Sequence, residues 1–127
     1  MIRYLTAQQI IDMNRRLLDA TGGFIFAVRD RHRIDYVTGI VQDHNRFPTL
    51  WDKAAMYLHR IACSQAFADG NKRTALEAAD VFLGMNGYEF RPPSAGWTVR
   101  YMLAVAQNQK TREQVRGWLR RRSAPRR

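Results

Sequence analysis

The sequence of 127 residues contains a single cysteine, Cys63, so an internal disulfide bond is excluded. Its longest apolar stretch, around residues 22–28, is far shorter than the ~20 residues that a membrane-spanning helix needs. The N-terminus also lacks the basic stretch and long apolar run of a signal peptide. From these absences we expect a soluble protein of the reducing cytoplasm, with no membrane partner.

Acidic residues are also scarce. Eleven Asp and Glu stand against 21 Lys and Arg, which gives a formal net charge of +10 at pH 7. Six of the arginines lie in residues 116–127, which contain no acid, and the rest of the chain carries only +4. We expect residues 1–122 to form one folded domain and residues 123–127 to be a basic, disordered tail. Such a tail binds nucleic acid, an acidic protein, or nothing.

The spacing of apolar residues is helical almost throughout, and 46% of the residues are hydrophobic. We predict an all-α fold, a single-domain bundle of about six helices. Capping residues mark most of the helix starts, and Gly22-Gly23 ends the first helix because glycine tolerates the left-handed conformation of a helix stop. The predicted helices begin near Thr6, Asp30, Thr49, Asn71, Ser94 and Thr111.

Two of these helices carry specific burial predictions. The fourth, from Asn71 to Asn86-Gly87, has little polar surface, so we expect it to be buried at the centre of the bundle. The fifth contains Trp97, Val99, Met102, Leu103 and Val105, and we expect Trp97 to lie in the core.

The segment between the third and fourth helices reads Gln-Ala-Phe-Ala-Asp-Gly-Asn-Lys-Arg-Thr over residues 65–74. Gly70 directly precedes a helix whose first-turn N–H groups have no partners within the helix. The helix dipole adds roughly half a positive charge at this end, and Lys72 and Arg73 add two cations. Because cations are unfavourable at a helix N-terminus unless an anion lies nearby, we predict a phosphate-binding site here.

Individual roles follow from the chemistry of these side chains. Asp69 is the one acid near the loop, and a single carboxylate is the usual protein contribution to a Mg²⁺ site beside phosphates. Gly70 lets the backbone approach a ligand closely. Asn71 orients either a phosphate oxygen or the loop itself, and Phe67 points inward. An ordinary turn followed by two solvated cations is the alternative interpretation of the same residues.

The stretch Phe67-x-Asp69-Gly70-Asn71-Lys72-Arg73 resembles the signature of the Doc branch of the Fic/Doc superfamily, which reads His-x-Phe-x-Asp/Asn-Ala/Gly-Asn-Lys-Arg. The resemblance implies an all-α bundle in which the motif loop and the following helix hold a nucleotide. It covers about residues 4–90 and includes Leu5-Thr6, Gly22-Gly23, Val28-Arg29-Asp30, Lys53-Ala54-Ala55 and the segment 81–88.

The resemblance also implies a reaction. Fic members typically transfer AMP to a protein hydroxyl and carry Gly-Asn-Gly-Arg. The Doc variant has a lysine, here Lys72, and phosphorylates a threonine of translation elongation factor Tu. The implied cofactors are ATP and Mg²⁺. Gly70, Asn71, Lys72 and Arg73 are the implied nucleotide-binding residues, and Asp69 is the implied metal ligand.

Two further features come with the resemblance. Doc toxins pair with a small antitoxin that has an acidic segment, which suits a basic partner. Fic-type proteins also carry a flap that aligns the substrate, and position along the chain places it at residues 45–47.

Gln65 departs from the family pattern. The family has a histidine here, the general base, whereas a glutamine side chain holds a hydroxyl but takes up no proton in the working pH range. General-base catalysis contributes roughly 10²–10⁴-fold, so we expect Gln65, with Asp69, Asn71, Lys72 and Arg73, to form an impaired catalytic site. His59, six positions earlier on the third helix, faces another side and is not expected to substitute. Gln65 is an engineered change, a natural feature of a weakly active chain, or a sign of different chemistry.

Other functions compete with phosphorylation. Fic-type AMP transfer is one, and a catalytically silent antitoxin-binding protein is another. A nucleic-acid binder would need an exposed cationic helix. The last predicted helix is the only candidate, through Arg112, Arg116, Arg120 and Arg121, and since its Trp118 and Leu119 are more simply core residues, we do not expect a nucleic-acid partner.

Overall fold

The computed structural model describes residues 1–22 and 24–126. Within this part of the chain, six helices and one pair of short strands confirm the predicted all-α bundle. None of these helices is long and apolar enough to cross a lipid bilayer. In chain order the elements are α1 (Ala7–Thr21), α2 (Arg31–Ile40), α3 (Leu50–Ser64), α4 (Asn71–Met85), β1 (Tyr88–Phe90), α5 (Ala95–Ala106), α6 (Arg112–Arg121) and β2 (Ser123–Pro125).

Side-chain caps set the helix starts where the sequence indicated them. Thr6, Thr49 and Thr111 each accept a hydrogen bond from the third helical residue, whose own side chain bonds back to the cap backbone. Such a cap contributes about 1 kcal/mol. Helix α1 ends at Gly22, where φ is 67°. Gly23, the second glycine of the predicted stop, lies outside the described residues.

Helices α3 and α4 share the centre of the bundle. Helix α3 packs against α2, α4, α5 and α6, while α4 packs against α1, α3, α5 and β1. The prediction that α4 is buried nearly all round is wrong, because Leu76, Val81 and Met85 are only partly buried. Lys72 and Arg73 are exposed. One face of α4 is therefore open to solvent, and it begins at the motif.

Helix α5 lies at the edge of the bundle, and the prediction that its Trp97 is a core residue is wrong. Its Trp97, Val99 and Leu103 are 38%, 65% and 45% exposed. The side chains that it buries are Thr98, Tyr101, Met102 and Val105. The apolar stripe of an amphipathic helix is wider than the contact that one neighbouring layer covers, so part of it remains at the surface.

The C-terminal segment is ordered by strand pairing. Strand β2 runs antiparallel to β1 with Phe90 opposite Ser123 and Tyr88 opposite Pro125. The Arg126 N–H extends the pairing to the Gly87 carbonyl at 2.8 Å. The expectation of a disordered tail is therefore wrong for residues 123–126, because the backbone groups of β1 need a partner strand. Arg127 lies outside the described residues.

The arginines of α6 lie against the body of the protein. Arg116 pairs with Asp52 at 2.8 Å. The Arg112 guanidinium lies 4.9 Å from the centre of the Phe47 ring, and that of Arg120 lies 5.4 Å from a tryptophan ring on α3. Three of the four arginines considered for nucleic-acid binding thus have partners within the fold, which argues against an exposed recognition helix.

Candidate active site at the start of helix α4

The site begins where α3 ends. Gln65 caps α3 in the left-handed conformation, with φ 53° and ψ 37°, and its side chain is exposed. The guanidinium of Arg33 donates to the carbonyl of Ser64 and so satisfies the end of the helix. Beyond Gln65 the chain turns inward, and Phe67 is fully buried as predicted. The motif loop is therefore anchored in the core by Phe67.

A neighbouring extended segment lies along the motif loop. The Ala68 N–H donates to the Ala27 carbonyl at 2.9 Å, and the Arg29 N–H donates to the Ala66 carbonyl at 2.7 Å. Val28 and Phe67 form an antiparallel bridge. The chain upstream of this bridge carries two exposed apolar residues, Phe24 and Ile25. They form an accessible surface beside the motif.

Residues 45–47, predicted to be a substrate-aligning flap, offer no aromatic side chain to a substrate. Phe47 is only 1% exposed and packs in the core, so its ring cannot contact a protein substrate. The exposed apolar residues beside the motif are Phe24 and Ile25, at 59% and 70% exposure. The available signal was the short run of aromatic and branched residues after Gly22, which is typical of extended chain.

Asn71 closes the motif loop. Its Oδ1 accepts a hydrogen bond from the Phe67 N–H at 3.1 Å, and its Nδ2 donates to the Phe67 carbonyl at 3.0 Å. Of the two roles open to Asn71, the structure therefore assigns it the organisation of the loop.

The N-terminus of α4 is left open by its cap. Gly70 has φ 78° and ψ 16°, and no side chain makes a capping hydrogen bond to the first turn. The helix begins with the Thr74 N–H donating to the Gly70 carbonyl at 2.9 Å. The preceding amides have no partner within the helix. The same turn borders a cleft of about 260 Å³ lined by Leu18, Thr21, Phe24, Asp69, Gly70, Asn71, Lys72 and Arg73.

The predicted charged residues meet at this cleft. Lys72 and Arg73 are exposed and, among the described residues, form no ion pair. Asp69 accepts a hydrogen bond from the Ile25 N–H at 3.3 Å. Within the described chain no group of three or more His, Cys, Asp or Glu side chains could hold a metal ion. The donor set therefore fits Mg²⁺ only in company with phosphate oxygens and water.

His59 does not reach this cleft. Its Nε2 lies 3.1 Å from the Lys110 carbonyl, and the ring is half-buried. Burial lowers the pKa of His59, as does the charge of Arg112, against the opposing effect of the Lys110 contact. His59 lines a separate cleft of about 640 Å³, which includes Arg33 and Cys63 but no residue from Asp69 to Arg73. The structure supports the expectation that His59 does not replace the missing base.

An apolar groove continues from the two motif cations along α4 and α5. Its volume is about 530 Å³. Besides Lys72 and Arg73 it is lined by Leu76, Pro92, Pro93, Ala95, Thr98, Val99 and Met102. The groove places an apolar surface next to two positive charges.

Asn14 is a residue of the site that sequence reasoning missed. It is fully buried on α1 and bonds to the backbone of Asp69 and the side chain of Thr74. The available signal was a polar side chain between Ile10 and Leu18 on an otherwise apolar helical stripe.

Comparison with known proteins agrees with this geometry. The profile of the Fic/DOC family matches residues 4–83, which is more than half of the chain and includes the whole motif loop. This chain belongs to the Fic/Doc family. Within the family it is similar to toxin Doc of Mycolicibacterium smegmatis, at 54% identity over 43 residues, or 34% of this chain and 33% of that protein.

A second Fic/Doc relative aligns over a longer region. It is the protein kinase doc of Escherichia phage P1, at 30% identity over 91 residues, or 69% of this chain and 71% of the phage protein. The aligned region spans only a third of the mycobacterial protein. Both relatives carry the name Doc, so within the Fic/Doc family this chain is similar to the Doc proteins.

Proposed function

We propose that this Fic/Doc chain is the toxin of a toxin–antitoxin pair and a Mg²⁺–ATP-dependent transferase that phosphorylates a hydroxyl of a protein such as elongation factor Tu. Turnover is impaired because Gln65 replaces the general base. The observation that carries the proposal is the uncapped start of α4, where Lys72 and Arg73 stand beside Asp69 at one cleft.

The residues of the cleft divide the work of holding the nucleotide. The free amides at the start of α4, with Lys72 and Arg73, would bind phosphate oxygens, because donors and positive charge coincide there. Asp69 would hold Mg²⁺ with phosphate oxygens and water completing the coordination. Bound Mg²⁺–ATP would supply the phosphoryl group. Asn71 keeps the loop closed around Phe67, so the amides are in place before binding.

The acceptor hydroxyl would be held without being deprotonated. Gln65 lies at the entrance to the loop with an exposed side chain that can donate to or accept from a hydroxyl. The exposed residues Phe24 and Ile25 beside the motif offer the surface along which a protein substrate would be aligned. Phosphoryl transfer depends mainly on positioning and on charge stabilisation, so slow transfer remains compatible with this arrangement.

Restoring the family's histidine by substitution tests the proposal. The Gln65→His variant is incubated with Mg²⁺–ATP and elongation factor Tu, beside the wild type and a matched Gln65→Asn control. Histidine is among the residues that tolerate the left-handed region, so we expect the variant to fold. We expect transfer to rise by roughly 10²–10⁴-fold in Gln65→His and not in Gln65→Asn.

The position of the label separates the two transfer reactions. Label from γ-labelled ATP on the acceptor indicates phosphorylation, whereas label from α-labelled ATP indicates AMP transfer. Lys72, which stands where Fic members carry glycine, supports phosphorylation. If the folded Gln65→His protein transfers label from neither nucleotide, the proposed transferase activity is ruled out.

A second candidate function is antitoxin binding without catalysis, which Gln65 itself favours. The apolar groove ending at Lys72 and Arg73 fits an amphipathic partner segment with acidic residues. If the protein binds an antitoxin without catalysis, an acidic antitoxin peptide binds to it and the Gln65→His variant still transfers nothing. Replacing Val99, which lines this groove and is 65% exposed, with aspartate should then weaken binding of the peptide.

A further inference from the structure

Asn14 connects α1 to the motif loop. Its side chain is fully buried. Nδ2 donates to the carbonyl of Asp69 at 2.9 Å and to Oγ1 of Thr74 at 3.0 Å. One amide group thus holds the last residue before Gly70 and the residue that completes the first turn of α4.

The orientation of this amide is decided by its partners. The Asp69 carbonyl is only an acceptor, so the group facing it must be the NH₂ of Asn14. Within the described residues, the Asn14 Oδ1 is buried and makes no hydrogen bond. Leaving a buried oxygen without a partner is unfavourable. The contribution of Asn14 therefore lies in its two donated bonds to the loop and helix.

The contact is also tight at Gly70. A Cβ atom on Gly70 would lie 3.0 Å from Nδ2 of Asn14 and 3.1 Å from Cδ2 of Leu18. The left-handed turn at Gly70 is therefore closely packed between α1 and α4. This turn sets the direction of the first amides of α4. The residues that fix the turn therefore also fix the geometry of the anion site.

We propose that Asn14 is a positioning residue of the nucleotide site. Through the Asp69 carbonyl it holds the motif loop in its binding conformation before a ligand arrives. Its effect on nucleotide binding rests on the function proposed above, whereas its effect on the order of the loop does not. It touches neither nucleotide nor acceptor and acts through Asp69 and Gly70.

The matched pair of variants for the test is Asn14→Leu and Thr74→Val. Leucine has the branched shape of asparagine and donates no hydrogen bond. Thr74→Val removes one of the two acceptors of Asn14 and leaves its bond to Asp69 intact. Asn14→Leu removes both bonds of Asn14, whereas Thr74→Val removes only the bond between the two side chains. If Asn14 only stabilised the fold as a whole, exchange at the loop would rise no more than exchange in the middle of α3.

Two readouts are compared on folded protein. The first is amide hydrogen exchange of Phe67 and Ala68 without ligand, relative to amides in the middle of α3. The second is the dissociation constant for Mg²⁺–ATP. For Asn14→Leu we expect exchange about tenfold faster at the loop and binding about tenfold weaker. For Thr74→Val we expect both quantities within about threefold of the wild type.

Equal loop exchange in the two variants would overturn the positioning role. If the wild type does not bind Mg²⁺–ATP, the proposed function fails, and the exchange comparison still decides the role of Asn14. If Asn14→Leu does not fold, Asn14→Ala takes its place, because alanine donates to neither the Asp69 carbonyl nor the Thr74 hydroxyl.

Discussion

Replacing Gly70 with alanine perturbs the candidate site at its tightest point. The backbone there has φ 78°, and alanine in the left-handed region costs about 1–2 kcal/mol. The added Cβ would also lie 3.0 Å from the buried Asn14 side chain and 3.1 Å from Leu18. Forcing such an overpacked contact costs about 1–3 kcal/mol. Alanine also lowers the conformational entropy of the unfolded chain, which offsets the loss of stability by about 0.4–1 kcal/mol.

The net expectation is that Gly70→Ala lowers the free energy of unfolding by about 1–4.5 kcal/mol. Gly87→Ala is the matched control, because Gly87 has φ 93° and nothing within 4 Å of an added Cβ. It incurs the backbone cost alone, so we expect a loss of about 0–1.5 kcal/mol. Urea unfolding followed by circular dichroism measures both values.

The contact with Asn14 can be isolated by a double-mutant cycle. Truncating Asn14 to alanine removes the atom nearest to the new methyl group. The loss in the double variant should therefore be smaller than the sum of the single losses by about 1 kcal/mol. Equal losses at Gly70 and Gly87, or strict additivity with Asn14→Ala, would refute the argument that α1 presses on the loop.

Three further predictions concern the loop, the C-terminal strand and an ion pair. Asn71→Ala removes both bonds to Phe67 and should destabilise the protein by about 1–3 kcal/mol and weaken Mg²⁺–ATP binding; unchanged affinity in a titration would contradict this. Deleting residues 123–127 unpairs β1 and should lower stability by on the order of 2 kcal/mol in urea unfolding, whereas a disordered tail predicts no change. Burial by itself raises the pKa of Asp52, but hydrogen bonds from Arg116 and the helix cap hold it below its usual value. A lowered carboxyl pKa stabilises the fold above the unfolded value of about 3.9 and loses this effect as the pH falls through the native value. Arg116→Gln should therefore cost about 0.5–1 kcal/mol at pH 7 and progressively less below about pH 4, as denaturation midpoints at the two pH values would reveal.

Local chemistry made the helix boundaries predictable. Thr6, Thr49 and Thr111 cap their helices with side chains that bond within three residues, so their effect needs no tertiary partner. The open helix start at Gly70 was predictable for the same reason. Which face of α5 is buried depends instead on the helices that pack on it, and there the sequence pattern was misleading at Trp97.

Contacts between distant segments account for the other differences. Strand β2 forms because β1 lies more than thirty residues upstream with an unpaired edge, and the sequence of residues 123–125 alone has no strand signal. The core position of Phe47 depends on how the loop before α3 folds back, which residue spacing does not encode. Asn14 meets Asp69 across 55 residues of chain.

The sequence by itself determined the chemistry of the candidate site. The donors, the two cations, the single carboxylate and the missing histidine at Gln65 are all written within ten consecutive residues. Only the tertiary structure decided how that loop is held. Its supports are Asn14 on α1 and the extended segment at Ala27–Arg29, which meet the loop after the chain has folded. Short-range hydrogen bonds and helix ends follow from neighbouring residues, whereas side-chain burial and long-range pairing depend on the packing of the whole bundle.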